Sequence, residues 1–421
     1  MEELEMNQKS IVMPDKVCRI IDTIQKAGFE AYAVGGCVRD SILNRTPDDW
    51  DITTSATPQQ VKKLFLRTID TGIQHGTVTV MIEKEGFEVT TYRIDGEYLD
   101  GRHPESVEFA GELVEDLKRR DFTINAMAYN EQQGLVDEFD GIGDICRKVI
   151  RCVGNPEERF CEDALRMMRA IRFSAQLGFE IEENTYAAIV KLAPSIQKVS
   201  MERIQVELVK TLLSDHPEYV LFYQKTGLFK EVLPAAEMIL SGKYAKHAQI
   251  MLTHAEKTPV LRYAALFHHA GNEQAKAALK MLKLDNYTID TVAKLIKDTN
   301  DTIQENEPAV REAIHNYGKE MMPLIFSHEK ALLDTSEEMI GIPMTAKRKH
   351  LATIERMYHD IIRRGDCLSV KDLDITGNDL MEYGLQGPQI GKTLNTLLHV
   401  VIENPKLNDK ATLIAMIEHL E

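Results

Sequence analysis

Apolar and polar positions along this chain keep a mixed rhythm at first and a purely helical one later. Between Pro14 and Gly28, Val17, Ile20, Ile21 and Ile24 recur at three- and four-residue spacing, the period of an amphipathic helix, and Gly28 supplies a stop. The run from Tyr32 to Thr57 reads as a short apolar strand, a tight Gly35-Gly36 turn, a helix carrying Arg39, and a second strand holding Asp49-Trp50-Asp51. Thr57-Pro58 opens a helix over Gln59–Phe65. Strands are predicted at Thr77–Glu83 and Phe87–Thr91 around a turn at Glu85-Gly86. Residues 95–104 are polar and glycine-containing and read as a loop. Ser106–Phe109 is a further short strand, leading to a helix that contains LKRRDFTINAMAYN. Beyond Asn155-Pro156 the period is helical to the end, with Gly and Pro mainly at junctions.

The fold class predicted is therefore an α+β N-terminal domain, a small mixed sheet with helices, followed by an all-α remainder. At 421 residues the chain exceeds one ordinary core. The pattern places boundaries near 152, 214, 306 and 366, and the domains drawn from it are 1–152, 153–214, 215–306 and 307–421. The hydrophobic fraction of 43% and the charged fraction of 28% are those of a soluble globular protein. No apolar run approaches the roughly 20 residues of a membrane span, and the acidic, polar start is unlike a secretory signal. Six cysteines, at 18, 37, 146, 152, 161 and 367, show no C-x-x-C pairing. Neither a zinc site nor a disulfide framework is indicated, and reduced cytoplasmic thiols are the simplest reading. The net charge of −16 argues against a protein that coats nucleic acid nonspecifically, but it allows a local basic groove.

Candidate chemistry starts at the glycine turn. Adjacent glycines let backbone approach a bulky anion, amide groups at the next helix start point at it, and Arg39 adds a cation. Asp49 and Asp51 leave an extended segment on the same face. Two hard carboxylates side by side suit magnesium, which keeps positions open for substrate phosphates. A lone Gly-Gly is usually only a turn, and a lone D-x-D only a solvated strand end. Their combination in one strand–turn–helix–strand unit favours a metal–triphosphate site.

The stretch Arg159 to Phe179, RFCEDALRMMRAIRFSAQLGF, forms a second constellation. On one continuous helix, Ala164, Met167, Met168, Ile171 and Ala175 fall in an apolar sector. Glu162, Arg166, Arg169 and Arg172 lie opposite, with Asp163 at the edge. A solvated basic face is the common use of such a pattern; an arginine ladder able to follow phosphates is the preferred one here. Asp163 and Arg166 stand one turn apart. A carboxylate only accepts hydrogen bonds and a guanidinium only donates them. Cytosine and adenine both offer an amino donor beside a ring-nitrogen acceptor, whereas guanine and uracil reverse that polarity. An Asp–Arg pair set side by side would thus accept C and A and reject G and U, more sharply when buried. Arg119-Arg120-Asp121 is a third charged group, plausible by itself as a helix start.

The run YAVGGCVRDSILNRTPDDWDITTSAT resembles the nucleotidyltransferase superfamily that includes DNA polymerase beta, and in particular the class II tRNA nucleotidyltransferases, or CCA-adding enzymes, with bacterial poly(A) polymerases as close relatives. The resemblance implies an elongated multidomain protein: a catalytic head, a neck bearing a nucleobase-templating helix, a body, and a tail for the tRNA elbow. It implies Asp49 and Asp51 as catalytic ligands of two magnesium ions. Gly36, with Gly35 in support, Arg39 and Arg120 would bind the triphosphate, Asp121 would face the sugar, and Asp163 and Arg166, supported by Glu162, would template CTP and ATP. Arg169 and Arg172 would line the nucleotide site. MERIQVEL, from Met201 to Leu208, resembles the motif that steadies the templating helix, so Glu202 and Arg203 are read as scaffold.

In that mechanism one ion activates the RNA 3′-hydroxyl and the other neutralises pyrophosphate, with no covalent enzyme intermediate. LRYAALFHHAG, from Leu261 to Gly271, sits where some relatives carry a His-Asp phosphohydrolase motif but lacks the Asp, so His268 and His269 are read as ordinary helix residues. Gly377, Asp379 and the Gly387–Gly391 turn match the family tail, which would meet tRNA by shape; Lys371, Lys392 and Lys406 are candidate phosphate contacts. Partners are tRNA, CTP and ATP, no membrane, and a monomer or homodimer. Poly(A) addition, A-only or CC-only addition, and an inactive tRNA-binding scaffold are the alternatives. Asp100 and Arg102, in the loop Gly96–His103, match the flexible motif of full CCA-adding members, and that loop is read as helping the switch from C to A. Its deletion is expected to leave tRNA products ending in CC on a sequencing gel; unchanged CCA ends would remove that role.

Overall fold

The computed structural model describes residues 10–95, 107–109, 111–298 and 303–417. The predicted loop, with Asp100 and Arg102, lies outside them. Helix α1 (Asp15–Lys26) buries Val17, Ile20, Ile21 and Ile24, the stripe its periodicity announced. A seven-stranded mixed sheet follows, built from β1 (Ala31–Val34), β2 (Ile52–Thr54), β3 (Thr68–Gly72), β4 (Thr77–Ile82), β5 (Glu85–Thr91), β6 (Met127–Asn130) and β7 (Gly134–Asp137), in the order β3-β4-β5-β2-β1-β6-β7. All neighbours are antiparallel except β2 and β5, which run parallel with Ile52 opposite Val89. Between β1 and β2 runs the short helix α2 (Gly36–Ile42), and α3 (Pro58–Leu64) starts on a Thr57–Gln60 capping box. Tyr32, Val34, Tyr92, Leu113, Leu117, Ala126 and Ala128 pack together under the sheet.

Several expectations need correction. The hairpin turn is Glu83-Lys84, whose φ values are 53° and 81°, and not Glu85-Gly86. Gly86 lies inside β5 because a Cβ there would meet Thr79 Cγ2 at 2.8 Å. The stretch LKRRDFTINAMAYN is no single helix: α4 (Leu113–Lys118) ends before Arg119, and the apolar run beyond it becomes β6, paired with β1. Tertiary pairing overrides local propensity there. The D-x-D run precedes β2, which begins at Ile52.

After α5 (Gly141–Arg147) come α6 (Pro156–Glu162), α7 (Leu165–Leu177), α8 (Glu183–Leu192) and α9 (Met201–Leu212). Helix α7 is buried well beyond its apolar sector: Arg172, Phe173 and Ser174 are covered as well. Gly178 terminates it in the left-handed region, with φ of 69°.

The chain divides into two compact units, Met1–Met238 with Met281–Lys283, and Ile239–Lys280 with Leu284–Glu421. The four-part division at 152, 214 and 306 stays our proposal for the finer organisation. The second unit is helical. Val310, Ile314, Met322, Phe326, Ile354 and Ile361 form one core, and Leu380, Leu397, Leu398, Val401 and Leu413 another. Arg311, buried, joins them by donating to the Ile402 carbonyl at 2.6 Å and pairing with Asp366 at 3.2 Å. His268 and His269 sit in the turn after the helix Pro259–Phe267. They cluster with His247 and His328 through ring-nitrogen contacts of 3.0 and 3.3 Å. Burial pushes His268 down to about 3 and His269 and His328 down to about 4, so these rings are neutral at pH 7.

Gly178→Ala should destabilise the fold by about 1–2 kcal/mol, the cost of a left-handed non-glycine residue, because its Cβ would also sit 2.8 Å from His216 Nε2. Urea denaturation beside Gly111→Ala, where nothing lies within 4 Å, measures it; equal stability of the two variants contradicts the reading.

Candidate active site

The backbone carries Asp51 to the edge of the sheet. Its carbonyl accepts from the Val34 amide at 3.0 Å, one step beyond the β1–β2 ladder. Parallel pairing of β2 with β5 sets Ile52 beside Val89, so Asp51 comes next to Glu88. Burial raises the pKa of the Asp51 carboxyl; the Arg120 guanidinium pulls it back and Asp49 pushes it further up. Glu88 is raised by burial and then by Asp51 and Asp49. The three acids therefore share one region of negative potential, although their side chains remain open to solvent. None of them is salt-bridged among the described residues. No group of three His, Cys, Asp or Glu residues there converges as a closed metal cage. An open pair of carboxylates with oxygen positions left for substrate is what magnesium takes at phosphoryl-transfer sites, so these residues fit it.

Opposite the acids stands the glycine turn. Gly35 has φ of 82°, and a Cβ on it would lie 2.8 Å from Arg120 Nη1. Glycine is required there on both counts. A Cβ on Gly36, the first residue of α2, would make only ordinary contact, 3.7 Å from Arg39 Nη2. Arg120 and Arg119 both reach Asp116, at 3.4 and 2.7 Å, and Thr53 donates to the same carboxylate at 3.2 Å. Burial would raise Asp116, but the two guanidiniums outweigh it and hold the acid ionised. Arg39 forks onto Asp40 with two 2.9 Å bonds and donates to Asn125 Oδ1. The Asn125 amide donates to Asp121 Oδ1 at 3.1 Å, and Arg169 Nε donates to Asp121 Oδ2 at 2.7 Å. Burial opposes ionisation of Asp121, yet Arg169 and the Asn125 bond hold its carboxyl well below the usual range.

The expected single helix from Arg159 to Phe179 is broken. Helix α6 ends at Glu162, Asp163 is extended with φ −144° and ψ 105°, and α7 begins at Leu165. Asp163 caps α7 through the Leu165 amide at 3.0 Å and takes a fork from Arg203 at 3.3 and 2.7 Å. Arg203, read from sequence as scaffold, thus holds the acid directly. Arg166 is anchored apart from it, on Glu162 and on the carbonyls of Arg159 and Arg119 at 3.2 and 3.0 Å. Neither group is saturated: a carboxylate has about four acceptor positions and a guanidinium five donors. Arg169 keeps about a third of its side chain exposed. Arg172 does not sit on an open face. It is ion-paired with Glu207 at 2.6 Å, donates to Gln176 at 3.1 Å, and burial lowers its pKa.

Sequence reasoning missed Glu88, Asp116, Asn125 and Glu207. Glu88 alternates with Phe87 and Val89 as any strand residue would, and only the parallel pairing of β2 with β5 assigns its neighbours. In the second unit, Asp379 is the third position of a Thr376 capping box and pairs with Lys410, so its visible work is structural.

A mixed-sheet head with a Gly-Gly turn, an adjoining acid pair and a set of arginines defines a nucleotidyltransferase. Residues 31–151 match the poly(A) polymerase head domain, residues 178–240 the probable RNA and SrmB-binding site of polymerase A, and residues 257–417 the putative tRNA nucleotidyltransferase domain 2. The CCA-adding enzyme of Leuconostoc mesenteroides is 37% identical over 93% of this chain and 92% of its own. That of Levilactobacillus brevis is 37% identical over 94% of this chain and 96% of its own. The crystal structure of the Bacillus stearothermophilus CCA-adding enzyme in complex with CTP superposes with a TM-score of 0.76 at 31% identity, covering 97% of this chain and 99% of that one. The chain belongs to the CCA-adding enzymes, a family of tRNA nucleotidyltransferases.

Gly35→Ala should lower the melting midpoint through its strained φ while leaving the chain folded, displace Arg120, and cut nucleotide incorporation at least about tenfold, one such contact being worth 1.4 kcal/mol or more. Radiolabel incorporation beside a thermal melt checks this; near-normal activity would mean Arg120 has no part in binding.

Proposed function

We propose that this enzyme builds and repairs the 3′-terminal CCA of tRNA from CTP and ATP without a nucleic-acid template. The observation that carries the reading is the meeting, within one unit, of the acids Asp49, Asp51 and Glu88, which have no salt bridge among the described residues, with Arg120, from which contacts lead to Asp163 and Arg166. Arg120 lies close enough to Asp51 to lower its pKa, its neighbour Arg119 offers its carbonyl to Arg166, and Arg166 stands next to the Asp163 break.

Asp49 and Asp51 would hold magnesium, with Glu88 adding negative charge beside them. Bound there, magnesium would make the RNA 3′-hydroxyl more acidic and neutralise the departing pyrophosphate. Arg120, the Gly36 amide and the more remote field of Arg39 receive the triphosphate. Asp121 acts from the sugar side and keeps Arg169 in place. Asp163 accepts from the amino group of cytosine or adenine, while Arg166 donates to the ring nitrogen. Guanine and uracil would set donor against donor and acceptor against acceptor, leaving polar groups unpaired. Arg203 holds Asp163 oriented for that task. Arg172 supports the pocket from behind. Six cysteines outside any disulfide suit a reducing cytoplasm.

The test is incubation of tRNA lacking its last three nucleotides with each nucleotide singly and together. CTP alone should add two residues, CTP with ATP three followed by arrest, and GTP or UTP none. An open-ended A tail would make the chain a poly(A) polymerase. Binding of tRNA without incorporation would make it an inert scaffold. Asp49→Ala should abolish incorporation, whereas Arg166→Ala should mainly admit GTP and UTP, losing about tenfold or more in discrimination.

A further inference from the structure

Phe173 is an apolar residue to which the mechanism gives no part. It projects from α7, is 5% exposed, and meets Phe122 edge-on with ring centroids 5.8 Å apart. Three guanidiniums surround its ring: Arg172, Arg39 and Arg169 lie 3.9, 5.0 and 5.4 Å from the centroid. All are within the range where an aromatic face attracts a cation, and the attraction grows as water is removed. Two of these arginines come from α7 and the third from α2, so the ring ties the glycine-turn segment to the helix. Each guanidinium also has its own carboxylate, respectively Glu207, Asp40 and Asp121. Those acids lie on different elements and fix each cation singly. The ring is the group all three share, and it offsets their mutual repulsion.

We infer that Phe173 is a positioning residue for nucleotide binding: its π face holds Arg39, Arg169 and Arg172 at a common spacing that presets the positive field met by the triphosphate. The inference rests on the function proposed above. Because the triphosphate is common to both substrates, the effect falls equally on CTP and ATP. This separates it from base reading by Asp163 and Arg166.

The experiment replaces Phe173 in the full chain with mono-, di- and trifluorinated phenylalanines, which weaken the π face while keeping ring shape, and adds Phe173→Leu. KM and kcat are measured for both nucleotides on tRNA, with a thermal melt of each variant. KM for CTP and ATP should rise together with each fluorine, to about fivefold for three and about tenfold for leucine, as expected for loss of a desolvated cation–π contact. The kcat values and melting midpoints of the fluorinated series should stay near wild type. A KM flat across the series, or one that rises for a single nucleotide, overturns the inference while wild-type activity leaves the proposed function standing. A wild-type enzyme that incorporates neither nucleotide takes away both.

Discussion

Acids held close together, with no ion-pair partner among the described residues, are what the first unit is built to sustain. Asp49, Asp51 and Glu88 crowd one end of β2 and its neighbour β5, where Asp49 raises the proton affinity of Asp51, and both raise that of Glu88. Such crowding is unfavourable for the isolated protein and becomes favourable when a divalent cation arrives. The parallel contact between β2 and β5 makes it possible, because it sets Asp51, the residue just before β2, beside Glu88 of β5. The arginines are handled the opposite way. Arg39, Arg119, Arg166, Arg169 and Arg172 each have a carboxylate partner. The acids have no ion-pair partner among the described residues, while the cations are locked into geometry by partners that they do have.

That asymmetry supports the proposal that side chains take over the task of a template strand. Reading a base by two groups demands that neither turn. Asp163 is pinned by Arg203 and by capping α7, and Arg166 is pinned by Glu162 and two backbone carbonyls. The break between α6 and α7 contributes here. A continuous helix would direct both side chains by the same backbone, whereas the extended Asp163 can be aimed separately from Arg166. The network from Arg39 through Asn125 and Asp121 to Arg169 joins the glycine turn to the same helix. A nucleotide bound across it would be met by one connected set of bonds.

Much of this was legible in the chain. The period of Val17, Ile20, Ile21 and Ile24 announced α1, and Gly35-Gly36 with Asp49 and Asp51 marked the candidate site through short-range chemistry that needs no tertiary knowledge. The arginines after Asp163 were visible as a set, but not their fates: Arg172 is buried on Glu207, which only the packing of α9 against α7 reveals. FTINAMAYN has a composition open to helix or strand; Thr123–Asn125 makes a single 3-10 turn, and pairing with β1 settles Met127–Asn130 as a strand. Gly86 suggested a turn because glycine often does; it is there to make room for Thr79. Glu88 had no local mark, since its role depends on a strand pairing that bridges about forty residues of chain.

The most direct measurement is anomalous diffraction from crystals of this protein grown with manganese, CTP and a tRNA ending before its CCA. The account predicts manganese peaks between the Asp49 and Asp51 carboxylates, with the cytosine edge hydrogen-bonded to Asp163 and Arg166. Metal bound away from that acid pair, or a cytosine facing RNA bases instead of those two side chains, would contradict it.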